Sequence, residues 1–253
     1  MRMNINARDS SGGLCLSDLT VRLGGGLILQ LLNVEFEPAK LHLVLGANGS
    51  GKTTLLRAMG GLLPYQGHIR LGGREIRAYT SKMLARQLSW VPQQIPQAGG
   101  LSLRQYVLMG RFPYLNWLGN YAAQDHQQAE ESLEIMQIGH LADRSWMTCS
   151  GGEQQKAAVA RALCQDTEFI FLDEPAQSLD PLARQLLFKH LVSLADRGKT
   201  LVCSTHHLEA LKMEGVRGIA SKKGELVFDT KQDNWPPSSL EIIYGAPDSD
   251  KIS

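Results

Sequence analysis

Residues 43–59 read LVLGANGSGKTTLLRAM, and this stretch decides the fold. It is an apolar segment of the kind that forms a buried strand, followed by a glycine-rich turn and the start of a helix. Residues 46–53 fit the pattern G-x-x-x-x-G-K-[ST], which is typical of a phosphate-binding loop. Glycines let the backbone approach a phosphate closely, and the successive N–H groups and the positive end of the helix attract the anion. The stretch therefore predicts a site for a nucleoside triphosphate.

Individual side chains of this loop have predicted roles. Lys52 can reach the β- and γ-phosphates, and the Thr53 hydroxyl can ligate Mg²⁺. The residues predicted to hold the nucleotide are Gly46, Asn48, Gly49, Ser50, Gly51, Lys52, Thr53 and Thr54.

A second motif supplies carboxylates. Residues 169–174 read FIFLDE, four apolar residues followed by two acids. That pattern is typical of a buried strand whose end reaches an active site. We expect Asp173 to hold Mg²⁺, directly or through water, and Glu174 to polarise the attacking water as general base.

The composition narrows the class of protein. A chain of 253 residues, 43% apolar and 20% charged, is ordinary for a globular protein with one substantial core. Its net charge of +1 gives no sign of a nucleic-acid or anionic-membrane partner. The four cysteines form no C-x-x-C pair, which indicates reduced thiols of a cytosolic protein. The sequence shows neither a signal peptide nor an apolar run near the roughly 18 residues that cross a bilayer, so any work at a membrane requires a partner.

Strands and helices alternate along the chain. Strands are predicted at Leu41–Leu45, Leu88–Val91, 168–172 and Thr200–Ser204, and helices at 52–62, 153–165, 181–197 and 206–213. This order predicts an α/β fold in which a mostly parallel sheet carries helices on both faces.

Two further regions complete the predicted domain, which spans residues 14–232. Residues 14–36, with a glycine turn at 24–26, predict an antiparallel hairpin and hence an antiparallel β subdomain. Glycine and proline interrupt residues 94–165, where we predict a helical insertion with helices at 103–109 and 125–136. A short tail, residues 233–253, is predicted to contain one helix at 239–244.

Residues 149–153 read CSGGE and lie upstream of Asp173. This segment resembles the LSGGQ signature of the ATP-binding-cassette (ABC) ATPases, although Cys149 and Glu153 depart from the family's Leu and Gln. The resemblance implies a P-loop NTPase core and ATP as the nucleotide. It also implies that a hydroxyl, backbone N–H groups and a helix N-terminus here help to bind ATP. The residues concerned are Ser150, Gly151, Gly152 and Glu153.

Other positions are similar to the family's remaining motifs. Gln93 resembles the glutamine that couples the γ-phosphate site to the helical insertion, and is expected to be a catalytic residue and a Mg²⁺ ligand. Asp180 resembles the aspartate that communicates across a dimer and is expected to lie at the nucleotide. His206 resembles the catalytic switch histidine at the γ-phosphate, while His207 stands where Asp is usual. Leu23 stands near the position of the aromatic residue that stacks on adenine, so how adenine is held stays open.

A subgroup of the family is suggested by residues 90–94, WVPQQ, residues 110–114, GRFPY, and residues 240–245, LEIIYG. These segments are similar to importer ATPases for ferric siderophores, haem and vitamin B12. The resemblance implies a homodimer of ATPase subunits at the cytoplasmic face of the inner membrane, bound to integral membrane permease subunits. It also implies an indirect partner, an extracytoplasmic substrate-binding protein, and no nucleic acid. The sequence does not reveal the cargo, because this subunit need never touch it.

Two alternatives stay open: the ATPase of an importer for another metal or small solute, and a soluble ABC ATPase outside transport. Several other classes fit less well. A DNA-repair ATPase of this superfamily would carry a long coiled coil where residues 94–165 are too rich in Gly and Pro for heptads. A translation factor would usually carry two cassettes, and an exporter would usually carry its own membrane helices. A small-molecule kinase would not need the Ser-Gly-Gly signature. The importer is the favoured interpretation.

Overall fold

The structure is a computed structural model that describes residues 12–115, 119–177 and 179–230. Within these ranges the strands are β1 Leu14–Leu23, β2 Gly26–Phe36, β3 Leu41–Leu45, β4 Gln66–Leu71, β5 Arg74–Glu75, β6 Leu88–Val91, β7 Phe169–Asp173, β8 Thr200–Ser204, β9 Val216–Lys222 and β10 Glu225–Asp229. The α-helices of the same ranges are α1 Lys52–Met59, α2 Ser81–Leu84, α3 Leu103–Leu108, α4 Ala123–Ile135, α5 Gly151–Cys164 and α6 Pro181–Asp196.

The larger sheet has the strand order β10-β9-β3-β8-β7-β6. All neighbours in it are parallel except β9 and β10, which form an antiparallel hairpin. Every residue of β3, β7 and β8 is buried, as expected for parallel strands covered on both faces. This sheet confirms the predicted α/β fold class.

The smaller sheet has the order β2-β1-β4-β5 and is antiparallel throughout. The β1–β2 hairpin turns at Gly24 and Gly25, both with positive φ, and pairs Leu23 with Gly26. Most side chains that face the core along these strands are Leu, Val or Phe, alternating with exposed polar residues. The predicted antiparallel β subdomain is therefore confirmed.

The core has two parts, one on each face of the larger sheet, and successive residues of β3 point into them alternately. Leu43 packs into the part that contains α3, α4 and α5. Val44 packs into the part that contains α1 and the smaller sheet. Since side chains alternate along a strand, the apolar residues of β3 contribute to both parts of the core.

The helical region that contains α3, α4 and α5 is fastened by a buried ion pair. Arg111 Nε donates to Asp125 Oδ1 at 2.7 Å, and Arg111 Nη1 donates to the carbonyl of Cys164 at 3.1 Å. These bonds join three separate segments of chain, and the Arg111 side chain is only 11% exposed. The bounds of the predicted helical insertion, 94–165, stay a prediction, as do the bounds of the domain and the tail.

Three helix predictions are corrected by the structure. The helix predicted at 52–62 ends at Met59, because Gly60 and Gly61 follow and Gly61 has a left-handed φ of 69°. The helix predicted at 103–109 ends one residue earlier and continues as a 3₁₀ segment, Met109–Tyr114, because Pro113 has no N–H to donate. The helix predicted at 206–213 is only a 3₁₀ segment, Leu208–Lys212. His207 is extended there, and its N–H is taken by Thr205 Oγ1 at 3.0 Å. The helix predicted at 239–244 lies outside the described residues, as does the end of the predicted domain.

Of the helices in the described part of the chain, none combines the length and the apolar character required to span a membrane.

Candidate nucleotide-binding site

The phosphate-binding loop joins the end of β3 to the start of α1, as predicted. Gly46 and Gly51 have φ values of 155° and 96°, which L side chains rarely adopt. A Cβ on Gly46 would lie 2.3 Å from Ser50 Oγ, and one on Gly51 would lie 2.7 Å from Leu29 Cδ2. Both glycines are therefore required by the conformation and by the packing of the loop.

The first turn of α1 lacks the side-chain cap that most of the other α-helices have. Its N-cap residue, Gly51, provides no side-chain hydrogen bond. The side chains of Ser102, Ser150 and Asp180 cap α3, α5 and α6 respectively. The first N–H groups of a helix have no partner inside it. At α1 they are left to an external acceptor, and a phosphate is a suitable one.

Lys52 is buried, and its ammonium group lies inside the loop. Its Nζ donates to the carbonyls of Gly46 and Ala47 at 2.9 and 3.3 Å. The same Nζ lies 3.5 Å from Glu174 Oε1, with both side chains less than 10% exposed. The ammonium is thus held at the head of α1 by oxygens that a triphosphate could replace.

Thr53 and Asp173 come together although they are 120 positions apart in sequence. Thr53 Oγ1 donates to Asp173 Oδ1 at 3.0 Å, and Ser204 Oγ donates to the same oxygen at 2.7 Å. A hydroxyl beside a carboxylate is the kind of hard-oxygen donor set that Mg²⁺ prefers, so the residues fit this metal. Thr54, also predicted in the site, lies partly buried in the first turn of α1.

Glu174 follows β7 with a backbone φ of 49°, which is uncommon for a residue other than glycine. Its N–H donates to Ser204 Oγ at 2.9 Å and lies 3.2 Å from the Ser204 carbonyl. Its Oε2 lies 3.0 Å from His206 Nδ1. The carboxylate is 7% exposed and lies between Lys52 and His206, which is the placement expected for a general base near the γ-phosphate.

Gln93 follows β6 and is exposed. Its Nε2 donates to Gln177 Oε1 at 3.2 Å. Within the described residues, no hydrogen bond joins Gln93 to Thr53 or Asp173. Its predicted role as a metal ligand therefore stays a prediction.

The signature residues form the start of α5. Ser150 Oγ accepts from the N–H of Glu153 at 3.3 Å, and Glu153 Oε2 accepts from the N–H of Ser150 at 2.7 Å, a capping box. This backbone hydrogen bond, helped by Arg144 at 3.1 Å, holds the pKa of Glu153 below its ordinary value. Gly151 is exposed and Gly152 partly buried. Among the described residues, no hydrogen bond or ion pair joins 149–153 to 46–53, so the two helix starts do not meet through such bonds within one chain.

Other predicted positions have local structural roles. Asp180 Oδ1 accepts from the N–H of Ala183 at 2.9 Å and caps α6 from an exposed position. Asn48 and Gly49 form the exposed tip of the phosphate loop. Leu23, at the end of β1, is 38% exposed.

Two of the departures from the family pattern, Cys149 and His207, have neighbours that accommodate them. Cys149 is buried with its Sγ 3.3 Å from the Ser145 carbonyl, and burial raises the pKa of its thiol. The rings of His206 and His207 are 4.0 Å apart. Burial lowers the pKa of His207, and the neighbouring His206 and Arg184 lower it further.

Sequence reasoning missed Ser204, which bonds both acids of the FIFLDE motif. A signal was present, because Ser204 ends a buried strand as Asp173 does. Two parallel neighbours bring such ends to one edge of a sheet, and the observed register pairs Asp173 with Ser204. The sequence alone, however, does not tell which strands are neighbours.

Comparison with known proteins now identifies the family. A family model described as ABC transporter matches residues 29–177, more than half of the chain. The chain belongs to the ABC transporter family. This membership confirms the resemblance inferred from the motifs, and with it an ATPase that binds ATP.

Two curated relatives of this ABC ATPase are importer subunits. A probable siderophore transport system ATP-binding protein of Bacillus subtilis is 34% identical over 93% of this chain and 92% of its own length. A hemin import ATP-binding protein of Pseudomonas entomophila is 31% identical over 92% of both chains. The predicted subgroup therefore agrees with the functions of these relatives.

Two solved ABC structures resemble the whole architecture. A metal-chelate type ABC transporter in an inward-facing conformation superposes with a TM-score of 0.81 and 26% identity, over 94% of this chain and 90% of that one. A dimeric bacterial ABC transporter cassette superposes with a TM-score of 0.76 and 25% identity, over 88% of this chain and all of the other.

Proposed function

We propose that this ABC ATPase powers the import of an iron chelate, a siderophore complex or haem, by binding and hydrolysing ATP. One observation carries the enzymatic part of the proposal. Lys52, Asp173 and Glu174 come together at the uncapped start of α1. Lys52 forms an ion pair with Glu174, and the next residue of α1, Thr53, donates a hydrogen bond to Asp173. An ammonium, a metal-binding carboxylate and a second carboxylate are the groups that phosphoryl transfer to water requires.

In the proposed site the triphosphate lies against the N–H groups at the start of α1. Lys52 exchanges the carbonyls of Gly46 and Ala47, and the Glu174 carboxylate, for oxygens of the β- and γ-phosphates. Thr53 and Asp173 would hold Mg²⁺, with Gln93 as a further expected ligand. When bound, Mg²⁺ would neutralise charge on the phosphate oxygens.

Glu174 is the proposed general base for the attacking water. Its carboxylate is buried, and its backbone is fixed by two hydrogen-bond acceptors of Ser204, so its position does not depend on a mobile loop. His206, 3.0 Å from Glu174 Oε2, is proposed to orient this carboxylate and to contact the γ-phosphate. The pair thus orients the water and accepts its proton.

A head-to-tail homodimer is proposed to complete each site. In one chain the start of α5, with Ser150 and Gly151 exposed, has no bond to the phosphate loop. A partner molecule can present this second anion-binding helix start, together with Asp180, to the open side of the loop. Two-fold pairing makes two equivalent sites, and the likeness to a dimeric cassette supports it.

The proposed partners outside the dimer are integral membrane permease subunits and, indirectly, an extracytoplasmic binding protein. The importer relatives and the likeness to a metal-chelate type transporter support a place at the cytoplasmic face of the cell membrane. We propose one ATPase domain over residues 14–232 with a helical insertion at about 94–165. The tail, 233–253, lies outside the residues that carry the chemistry.

Uptake by whole cells tests the proposal. The gene is deleted and replaced by wild type, by Lys52→Ala or by a surface control, Lys212→Ala. Uptake of labelled ferric siderophore, haem and cobalamin is then measured. We expect wild type and Lys212→Ala to restore the uptake of an iron chelate and Lys52→Ala to restore none. Restored uptake with Lys52→Ala, or loss of cobalamin uptake alone, would contradict the proposal.

A further inference from the structure

Ser221 lies beside the phosphate loop, although it is 171 positions from it in sequence. In the larger sheet β9 pairs in parallel with β3, and the last pair is Leu45 with Ala220. Ser221 is therefore the residue of β9 at the point where β3 ends and the loop begins. Its side chain is buried, with the residue 4% exposed.

The Ser221 hydroxyl bonds directly to the loop. Its Oγ donates to the carbonyl of Ser50 at 3.2 Å and lies 3.5 Å from Ser50 Oγ. The Ser221 backbone is equally close, since a Cβ on Gly46 would lie 2.6 Å from the Ser221 carbonyl oxygen. The phosphate loop thus packs directly against the end of β9.

This bond has a directional consequence for the next residue, Gly51. The described residues contain no cis peptide bond, and a trans peptide directs its C=O and its N–H to opposite sides. When Ser221 holds the Ser50 carbonyl toward β9, the Gly51 N–H points away from β9. Gly51 is the uncapped residue at the head of α1, with a φ of 96°, so this peptide orientation is open to it without a side-chain clash.

We propose that Ser221 is a positioning residue for the triphosphate site: by holding the Ser50 carbonyl it aims the Gly51 N–H at the phosphates. The inference rests on the proposed function, because it assumes that the loop binds ATP. It adds a residue that belongs to none of the motifs and touches no substrate. It predicts that losing the hydroxyl weakens the binding of phosphate more than it alters the chemistry.

The test is a KM and kcat comparison of Ser221→Ala with a matched control. Ser132 is also buried, and its Oγ donates to a backbone carbonyl, that of Gln128, at 2.7 Å in α4. Ser132→Ala therefore loses the same kind of bond away from the loop. Ser221→Thr keeps the hydroxyl and serves as the conservative variant. Thermal unfolding of each variant verifies that it is folded.

Loss of one buried hydrogen bond is expected to raise KM for MgATP, and the dissociation constant of MgADP, about fivefold in Ser221→Ala. We expect kcat to fall less than about twofold. Ser132→Ala should keep the KM of wild type, and Ser221→Thr should return KM to within about twofold of it.

Two results, obtained with an active wild type, would overturn the role of Ser221 but not the proposed function. In the first, Ser221→Ala and Ser132→Ala have the same KM. In the second, the KM of Ser221→Thr is as high as that of Ser221→Ala. If the wild-type chain bound no MgATP, both this inference and the proposed function would be wrong.

Discussion

Replacing Glu174 by Gln removes one charge from the centre of the site and keeps the shape of the side chain. Glutamine cannot accept a proton from the attacking water, so steady-state ATP hydrolysis should fall by about 10²–10⁴-fold, the usual contribution of a general base. Because only 7% of this side chain is exposed, bulk water is a poor replacement for the carboxylate as the base. His206 can still donate to the amide oxygen, so the fold of the site should persist.

The same substitution should tighten the binding of MgATP. In the structure the Lys52 ammonium lies 3.5 Å from the Glu174 carboxylate, an attraction of about 5 kcal/mol at an effective dielectric constant of about 20. Wild-type Lys52 must give up this interaction when it turns to the phosphates, whereas in Glu174→Gln it has no such charge to leave. Most of the difference is offset by rearrangement and hydration. We expect a net gain of about 1–2 kcal/mol, a five- to thirtyfold lower dissociation constant.

The assay combines steady-state hydrolysis, binding of MgATP and size-exclusion chromatography. Glu131→Gln is the matched control, because Glu131 is exposed on α4 and bonds only to the neighbouring Gln127 in the described structure. With MgATP, Glu174→Gln should accumulate as a closed dimer, and adding Ser150→Arg should abolish that dimer. Hydrolysis within about threefold of wild type, or weaker binding of MgATP than in wild type, would refute the reasoning.

The remaining predictions concern the pH dependence of stability and the recognition of adenine. His42 is fully buried on β3, and burial, only partly opposed by the Glu37 carbonyl at 2.8 Å, lowers its pKa to about 4. In the unfolded chain His42 gains a proton near pH 6.5, and in the folded chain it does not. The free energy of unfolding should therefore fall by about 2 kcal/mol from pH 7 to pH 5, and by less in His42→Leu. If urea titrations gave the same dependence of unfolding free energy on pH for both proteins, this prediction would be wrong. Because Leu23 offers no aromatic face, competition binding should show a preference for ATP over GTP below about a hundredfold, and a larger one would mean that another residue reads adenine. Leu23→Tyr should tighten both nucleotides about fivefold through stacking.

The elements that the sequence predicted well are those set by short-range patterns. Short, mostly apolar runs identify β3 and β8 with their observed bounds, because a strand covered on both faces carries few polar residues. The loop between β3 and α1 was predictable because the residues that a phosphate-binding loop requires, its glycines and Lys52, all lie within eight consecutive positions. The prediction of a helix at 206–213 was wrong because a hydrogen bond from the His207 N–H to Thr205 Oγ1 holds the backbone extended. Helix propensity does not account for such a side-chain bond.

What could not be predicted are the contacts made by strand order. Ser204 and Ser221 carry no motif, and serine is common at any strand end. They matter because β8 pairs with β7, which places Ser204 beside Asp173, and β9 pairs with β3, which places Ser221 beside Ser50. Gln177 is a similar case, since its partner Gln93 is 84 positions away. Such residues become visible only when the sheet is assembled.

The assembled sheet also explains how two acids with different tasks keep a fixed geometry before any nucleotide arrives. Asp173 and Glu174 are adjacent in sequence, yet in the proposed function one holds a metal and the other faces water. Glu174 has a left-handed backbone, which costs roughly 1–3 kcal/mol. Its carboxylate lies between Lys52 and His206, whereas that of Asp173 accepts from Thr53 and Ser204. Ser204 offsets this strain, since its hydroxyl donates to Asp173 and accepts from the Glu174 N–H. The fixed positions of the two carboxylates are thus a property of the β7–β8 pairing, and in the proposed function ATP would have only to displace Lys52 from its partners.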